Sequence, residues 1–149
     1  MTQEDDDAVF SLARFTDAQE PIYKRVLAEL RSGKKRSHWI WFIFPQIDGL
    51  GNSVASRHFA IKNLEEARAY LQHPVVGTRL RECSEIVLGL EGRTVSDIFG
   101  SPDDMKVKSC MTLFDRAAEE QGSVFGKVLE KYYDGERDER TLELLKWEP

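Results

Sequence analysis

The sequence predicts an all-α fold, arranged as a single compact domain of about seven or eight short helices. Apolar residues recur every three or four positions along most of the chain, and no segment shows the alternation of a half-buried strand. The chain has 149 residues, which is a usual length for one domain. We therefore expect a disordered acidic N-terminus at residues 1–8 and one all-helical domain over residues 9–149.

The first elements are predicted from caps and apolar spacing. A short helix covers Val9 to Phe15, and the capping-box pattern Thr16–Gln19 starts a second helix, which Gly33 ends. The segment from Ser37 to Phe44 is either a short helix or a buried strand, because so short an apolar run fits both. Pro45 ends that element in either case.

The later helices are each predicted from a start signal. Ser101-Pro102-Asp103-Asp104 is the strongest of these, with a capping serine, an early proline and two acids in the first turn. The first predicted helix of this part runs from Ser53 or Val54 to about Ile61, and Asn63 caps the next. Pro74 opens a third helix, which Gly92 closes, and a short turn of helix follows at Thr94–Phe99. The last three helices start at Ser101, Ser123 and Asp138.

Composition and charge exclude several classes of protein. The net charge of −5 argues against a nucleic-acid partner, because binding the phosphate backbone needs a basic face. The longest apolar run, Trp39–Phe44, has six residues and is too short to cross a membrane. Cys83 and Cys110 lie in predicted helices and are expected to be reduced thiols. We expect a cytoplasmic protein with no membrane partner.

Residues 34–53 hold the most unusual composition in the chain. They contain the basic run Lys34-Lys35-Arg36, then His38, two tryptophans and a Gly-x-Gly turn. The basic run either binds a phosphate or lies in solvent at a helix C-terminus, where positive charge is favoured by the helix dipole. His38 is either a general base or donor to a phosphate, or a structural residue. It has no second ligand at metal spacing, so we predict no metal site, and no cofactor is implied.

The aromatic residues of this segment have two interpretations. Trp39 and Trp41 either stack on a ligand ring or pack in the core, with one indole lining a pocket. Gln46 follows the proline and either reads the edge of a ligand or binds a loop carbonyl. Gly49 and Gly51 form a turn before the helix that Ser53 starts, which allows an anion to approach, although the pattern is not a P-loop.

Three polar residues on the helix after Pro102 are candidates for the opposite wall of a cleft. Lys106 and Ser109 share one helix face, and Thr112 is displaced around it. These residues either line a cleft or lie on the exposed surface.

Several motifs together resemble a bacterial family that is catalogued as domain of unknown function family 1810. The most specific motif runs from Ser37 to Gln46, SHWIWFIFPQ, and Gly49-Leu50-Gly51 follows it. The remaining motifs are Arg14-Phe15, Ala18-Gln19, Glu66-Ala67, Tyr70-Leu71, His73-Pro74, Arg79-Leu80, Phe99-Gly100, Asp103, Lys106 and Met111–Phe114. The resemblance spans about Val9 to Leu145 and implies an all-helical domain without an assigned activity, whose members are sometimes labelled calpastatin-like.

These observations lead to two hypotheses. The first is a domain that binds a phosphorylated or nucleotide-like small molecule in a cleft built from residues 34–53 and 106–112. In its enzymatic version, the domain also hydrolyses that molecule or transfers a group from it. The catalytic candidates are His38, Gln46 and Lys106, and the ligand-binding candidates are Arg36, Trp39, Trp41, Gly49, Gly51, Ser53, Ser109 and Thr112. The alternative is a protein-interaction module that uses the aromatic segment 38–46 without catalysis.

Overall fold

The helical prediction is confirmed for the residues that the structure describes. The computed structural model describes residues 10–146, and within that range it contains α-helices and no β-strand. Seven of the ten helices have seven residues or more. They are α1 (Ala13–Gln19), α2 (Tyr23–Ser32), α3 (Ile40–Ile43), α4 (Val54–His58), α5 (Leu64–Gln72), α6 (Val76–Gly89), α7 (Val95–Phe99), α8 (Asp103–Ala118), α9 (Val124–Tyr133) and α10 (Glu139–Lys146).

The longest helix, α8, lies at the centre of the domain. It packs against α5, α7, α9 and α10, while α6 covers α2, α5 and α9. Apolar residues of α8 face the core on several sides because the helix is surrounded by neighbours. Its buried apolar residues are Val107, Cys110, Met111, Leu113, Phe114 and Ala117. No helix of residues 10–146 is long and apolar enough to cross a bilayer.

Four predicted caps are present in the structure. Gly33 ends α2 with a φ of 80°, a left-handed conformation that glycine adopts without steric cost. Asn63 accepts a hydrogen bond from the Glu66 N–H at the start of α5. Ser123 and Asp138 cap α9 and α10 in the same way. Each cap satisfies an N–H or C=O group that has no partner inside the helix.

Two predicted helix starts are wrong. Thr16 lies inside α1, where its hydroxyl donates to the Ala13 carbonyl, so it caps nothing. Ser101 does not cap α8, because that helix begins at Asp103 after Pro102 and has no side-chain cap. The predictions for residues 1–8, and for Val9 in the first helix, fall outside the described residues.

Residues 37–61 have little regular structure and are held by one main-chain bridge. The ambiguous aromatic segment forms a single helical turn, α3. Ile47 then pairs with Ile61 in an isolated parallel bridge, in which the Asp48 N–H donates to Ile61 and the Ile61 N–H donates to Gln46, both at 2.8 Å. This pairing explains why α4 stops at His58 instead of reaching Ile61. We call residues 48–60, between the bridged positions, the pocket loop.

Candidate functional site

A small pocket lies where the pocket loop meets α8. Its volume is about 130 Å³. The lining residues are Trp41, Gln46, Ile47, Gly49, Leu50, Gly51, Ser56, Phe59, Ala60 and Lys106. The structure thus brings five of the residues selected from the sequence, including Lys106 from the distant helix α8, around one cavity. We call it the Lys106 pocket.

Lys106 is held over an aromatic ring at the wall of this pocket. Its ammonium nitrogen lies 3.9 Å from the centre of the Trp41 ring, a cation–π contact. The same nitrogen lies 3.2 Å from an Asp103 oxygen, and the other Asp103 oxygen is 2.9 Å from the Lys35 ammonium. Two ammonium groups therefore share one carboxylate, which leaves one positive charge in excess for an anionic ligand.

Asp103 stays ionised in this arrangement. Partial burial raises the pKa of Asp103, but hydrogen bonds from Lys35 and Lys106 outweigh that effect and hold the pKa below its ordinary value. The carboxylate can therefore fix the position of Lys106 throughout the neutral range.

Several polar groups at the pocket have no partner within residues 10–146. The Gln46 main chain is fixed by the bridge to Ile61, but its side-chain amide forms no hydrogen bond to protein. The main-chain N–H groups of Gly49, Leu50 and Gly51 also have no protein acceptor. Backbone and amide groups are strong hydrogen-bonding groups, so at these partly or fully exposed positions they are available to water or to a ligand.

The two glycines of the turn stand where a side chain would be strained or crowded. Gly49 has a φ of 106°, which L side chains rarely adopt, and a Cβ there would lie 3.1 Å from the Leu144 side chain. A Cβ on Gly51 would lie 2.8 Å from the hydroxyl of Ser56. These contacts bring α10 and α4 close to the pocket.

Trp39, predicted as a ligand-binding residue, does not line the Lys106 pocket. Its side chain is fully buried, and its indole N–H donates to a Glu29 oxygen at 2.9 Å. Trp39 also packs against the Phe44 ring. It is a core residue with a satisfied polar atom.

Ser109 and Thr112, also predicted as ligand-binding residues, are not among the residues that line the Lys106 pocket. Both are buried, and each hydroxyl donates to a carbonyl of its own helix, from Met105 and Lys108 respectively. The Thr112 oxygen also accepts the Asp138 N–H at 2.9 Å, which fixes the start of α10. Their hydroxyl groups serve the helix and its neighbour.

The structure also places three further candidates outside the Lys106 pocket. His38 and Arg36 are exposed, and neither contributes to the pocket lining. Ser53 caps α4 by accepting the Ser56 N–H at 3.0 Å, and its side chain does not reach the cavity. The site we describe therefore excludes His38, Arg36 and Ser53.

A buried carboxylate, Glu29, accounts for the conformation of the basic run. It accepts hydrogen bonds from the Arg36 and Ser37 N–H groups, the Ser37 hydroxyl and the Trp39 indole, at 2.6–3.0 Å. Burial raises the pKa of Glu29, but these hydrogen bonds outweigh it and lower the pKa to about 2. Sequence reasoning missed this role, although Glu29 stands three residues from Val26 on the apolar stripe of α2.

Ser56 and Phe59 were also missed as pocket residues. Phe59 contacts the rings of Phe15 and Phe42, with centroids 5.8 and 5.3 Å away, so its position depends on α1 and α3. Nothing in the local sequence indicates those long-range contacts. Among residues 10–146, no group of three or more His, Cys, Asp or Glu side chains is placed to hold a metal ion.

Comparisons with known proteins give the family of the chain and one structural relative. Residues 9–145 match a family described as "Protein of unknown function (DUF1810)". The chain belongs to this family. The fold is similar to the crystal structure of the conserved hypothetical protein Rv1873 from Mycobacterium tuberculosis, with a TM-score of 0.91 and 50% sequence identity over 93% of this chain and 99% of the other. No match was found among curated proteins.

Proposed function

We propose that this domain binds a phosphorylated or nucleotide-like small molecule in the Lys106 pocket. The observation that carries the proposal is the meeting of Gln46 and the glycine turn with Lys106 around one cavity. Apolar walls with a few convergent polar groups are typical of small-molecule sites. In the cytoplasm, where we place the protein, phosphorylated metabolites are available and the two buried thiols stay reduced.

Each part of the pocket suits one part of such a ligand. Trp41, Ile47 and Phe59 offer apolar and aromatic surface to a ring. Gln46 offers both a donor and an acceptor to the ring edge. Lys106, with the main-chain N–H groups of the glycine turn, offers positive charge and donors to a phosphate.

Binding is better supported than catalysis. Lys106 is the only titratable side chain among the residues that line the pocket, and no histidine or carboxylate lines it. Lysine can act as a general acid or base, but Lys106 is held by Asp103 and the Trp41 ring, and no second titratable group lines the pocket to complete an acid–base pair. We therefore propose Gln46 and Lys106 as binding residues and leave hydrolysis or transfer out of the proposal.

The alternative, a protein-interaction module built on residues 38–46, gains no support from the exposure of that segment. Trp39, Ile40, Ile43 and Phe44 are buried. The large apolar side chains that are exposed among residues 10–146 are Val54 and Met105, and both lie outside the segment. An interaction surface needs an exposed apolar centre, which this segment lacks.

The proposal is tested by titrating the purified protein with nucleotides, nucleosides and sugar phosphates in a calorimeter. We expect a phosphorylated ligand to bind, and Lys106→Met to weaken it by about tenfold to a hundredfold, because a charge-assisted hydrogen bond contributes about 1.5–3 kcal/mol. Lys108→Met is the matched control, since Lys108 lies on the same helix outside the pocket. Absence of binding across the panel, with the protein folded, would contradict the proposal.

A further inference from the structure

The dimensions and polar groups of the Lys106 pocket narrow the class of ligand. Resting on the function proposed above, we propose that the ligand carries a single six-membered heteroaromatic ring with a neighbouring donor and acceptor, together with a phosphate, as pyrimidine nucleotides do. Purine nucleotides should bind more weakly because the pocket has room for one ring.

The size argument begins with the volume of about 130 Å³. A protein cavity of about 150 Å³ holds one benzene molecule, so this pocket has room for one ring and little more. The pocket opens to solvent, so a fused two-ring base would have to displace the walls or leave one of its rings outside.

One side of the pocket is held by packing and main-chain pairing. Ile47 is 3% exposed and is tied by its bridge to Ile61. Phe59 is packed between the rings of Phe15 and Phe42. Trp41 is covered on one face by Lys106. On this side the pocket cannot widen without loss of core contacts.

The edge of the ring would be read by Gln46. A glutamine amide presents one acceptor oxygen and two donor N–H groups, and neither end of this amide has a protein partner within residues 10–146. Uracil and cytosine both carry adjacent donor and acceptor atoms on the ring edge, and the amide can rotate to match either order. A ring without such groups would leave the amide unsatisfied once water is displaced.

The phosphate would lie toward Lys106. Asp103 is shared between Lys35 and Lys106, so the group as a whole retains one positive charge. Because Asp103 fixes the ammonium over the Trp41 ring, the cation is in place before the ligand arrives.

The first test compares the affinities of UMP, CMP, AMP, GMP and phenyl phosphate by calorimetry. We expect the pyrimidine nucleotides to bind at least about tenfold more tightly than the purine nucleotides and phenyl phosphate. Gln46→Met should reduce the affinity for UMP to that for phenyl phosphate, and it should leave the affinity for phenyl phosphate unchanged. Gln72→Met, at an exposed glutamine at the end of α5, is the matched control and should change neither.

A second test enlarges the pocket. Leu50 is a half-buried wall residue, so Leu50→Ala should preserve the fold, as checked by melting temperature, and should admit AMP with a gain of about tenfold. Leu50→Val enlarges the pocket less, so its affinity for AMP should lie between those of the native protein and Leu50→Ala.

The outcomes separate this inference from the proposed function. Purine nucleotides that bind the native protein as tightly as UMP would overturn the ring-size inference and leave the proposed function standing. Phenyl phosphate that binds as tightly as UMP would overturn the role of Gln46. If no phosphorylated compound binds, the proposed function fails, and this inference fails with it.

Discussion

At the scale of single residues, the carboxylate of Glu29 organises the basic segment after α2. The N–H groups of Arg36 and Ser37 and the indole of Trp39 all point to it. A buried charge is costly unless it is fully hydrogen-bonded, and here four donors satisfy it. Three cationic residues in a row suggested a phosphate clamp, but the main-chain N–H groups of Arg36, which ends the run, and of Ser37 already bind a carboxylate of the protein itself.

Replacing this carboxylate should make stability less dependent on pH. The Glu29 pKa is about 2 in the folded protein and 4.5 when unperturbed, so folding gains stability from it above about pH 4.5 and loses that stability as the pH falls toward 2. We expect Glu29→Gln to cost about 3 kcal/mol at neutral pH, since one pKa unit corresponds to about 1.4 kcal/mol. Urea unfolding of both proteins at neutral and acidic pH measures the difference.

The difference in free energy of unfolding between wild type and Glu29→Gln should shrink as the pH is lowered, because Glu29 of the wild type becomes protonated in both the folded and the unfolded state. Glu130→Gln is the control, since Glu130 is exposed and forms no ion pair within residues 10–146. A difference in stability between wild type and Glu29→Gln that stays constant down to about pH 2 would contradict a lowered pKa for Glu29.

The two tryptophans illustrate how much of the site the sequence could predict. Trp39 precedes α3 and Trp41 lies within it. Residues two apart on a helical turn point to nearly opposite sides, so one indole can enter the core while the other faces a pocket. The sequence indicated that one indole of the pair would line a pocket. It could not indicate which, because that depends on Glu29 and Lys106, which are distant in sequence.

At the scale of helices, the contact between α5 and α6 depends on a glycine. A Cβ on Gly77 would lie 2.9 Å from the Tyr70 carbonyl oxygen and closer still to that of Leu71. Both contacts are to main chain at the end of α5, which cannot rotate away. Gly77 therefore lets the first turn of α6 approach α5 more closely than any other residue would.

Gly77→Ala should destabilise the domain by about 1–3 kcal/mol, the usual cost of overpacking a core contact. Gly89, the last residue of the same helix, provides a matched control because a Cβ there meets nothing within 4 Å. Gly89→Ala should be neutral or stabilising by up to about 1 kcal/mol, from helix propensity. Equal effects of the two substitutions in chemical denaturation would show that the close approach is not needed.

Some helix starts follow from a local cap signal, but other local patterns, at Thr16 and Ser101, cap nothing, and one helix end depends on a tertiary contact. Asn63 and Ser123 cap their helices with side chains only three residues from the N–H they accept. The end of α4 is different, because Ile61 is drawn into a bridge with Ile47. The Thr16 pattern has the residue types of a capping box, but it lies inside α1 and does not start the next helix, α2.

At the scale of the whole molecule, the two cysteines report on global unfolding. Both are fully buried in the core. Burial raises the pKa of Cys83 to about 12 and raises that of Cys110 well above its ordinary value. Since the thiolate is the reactive species, neither residue should react in the native state.

We expect a thiol reagent such as DTNB to leave both cysteines unmodified in the native protein and to modify both in concentrated urea. The rate at intermediate urea should follow the population of unfolded protein. Ser96→Cys, at an exposed position, is the control and should react at once in the native state. Rapid native labelling of Cys83 or Cys110 would show that the core opens locally.

The bridge between Ile47 and Ile61 has a consequence for how this family can diversify. It fastens both ends of residues 48–60 to each other, and that interval supplies six of the ten residues that line the Lys106 pocket. Mutations within the interval can alter the cavity while the helices around it keep their positions. Under the function proposed above, substitutions in this one short stretch would change the ligand, and relatives with the same architecture would not need to share it.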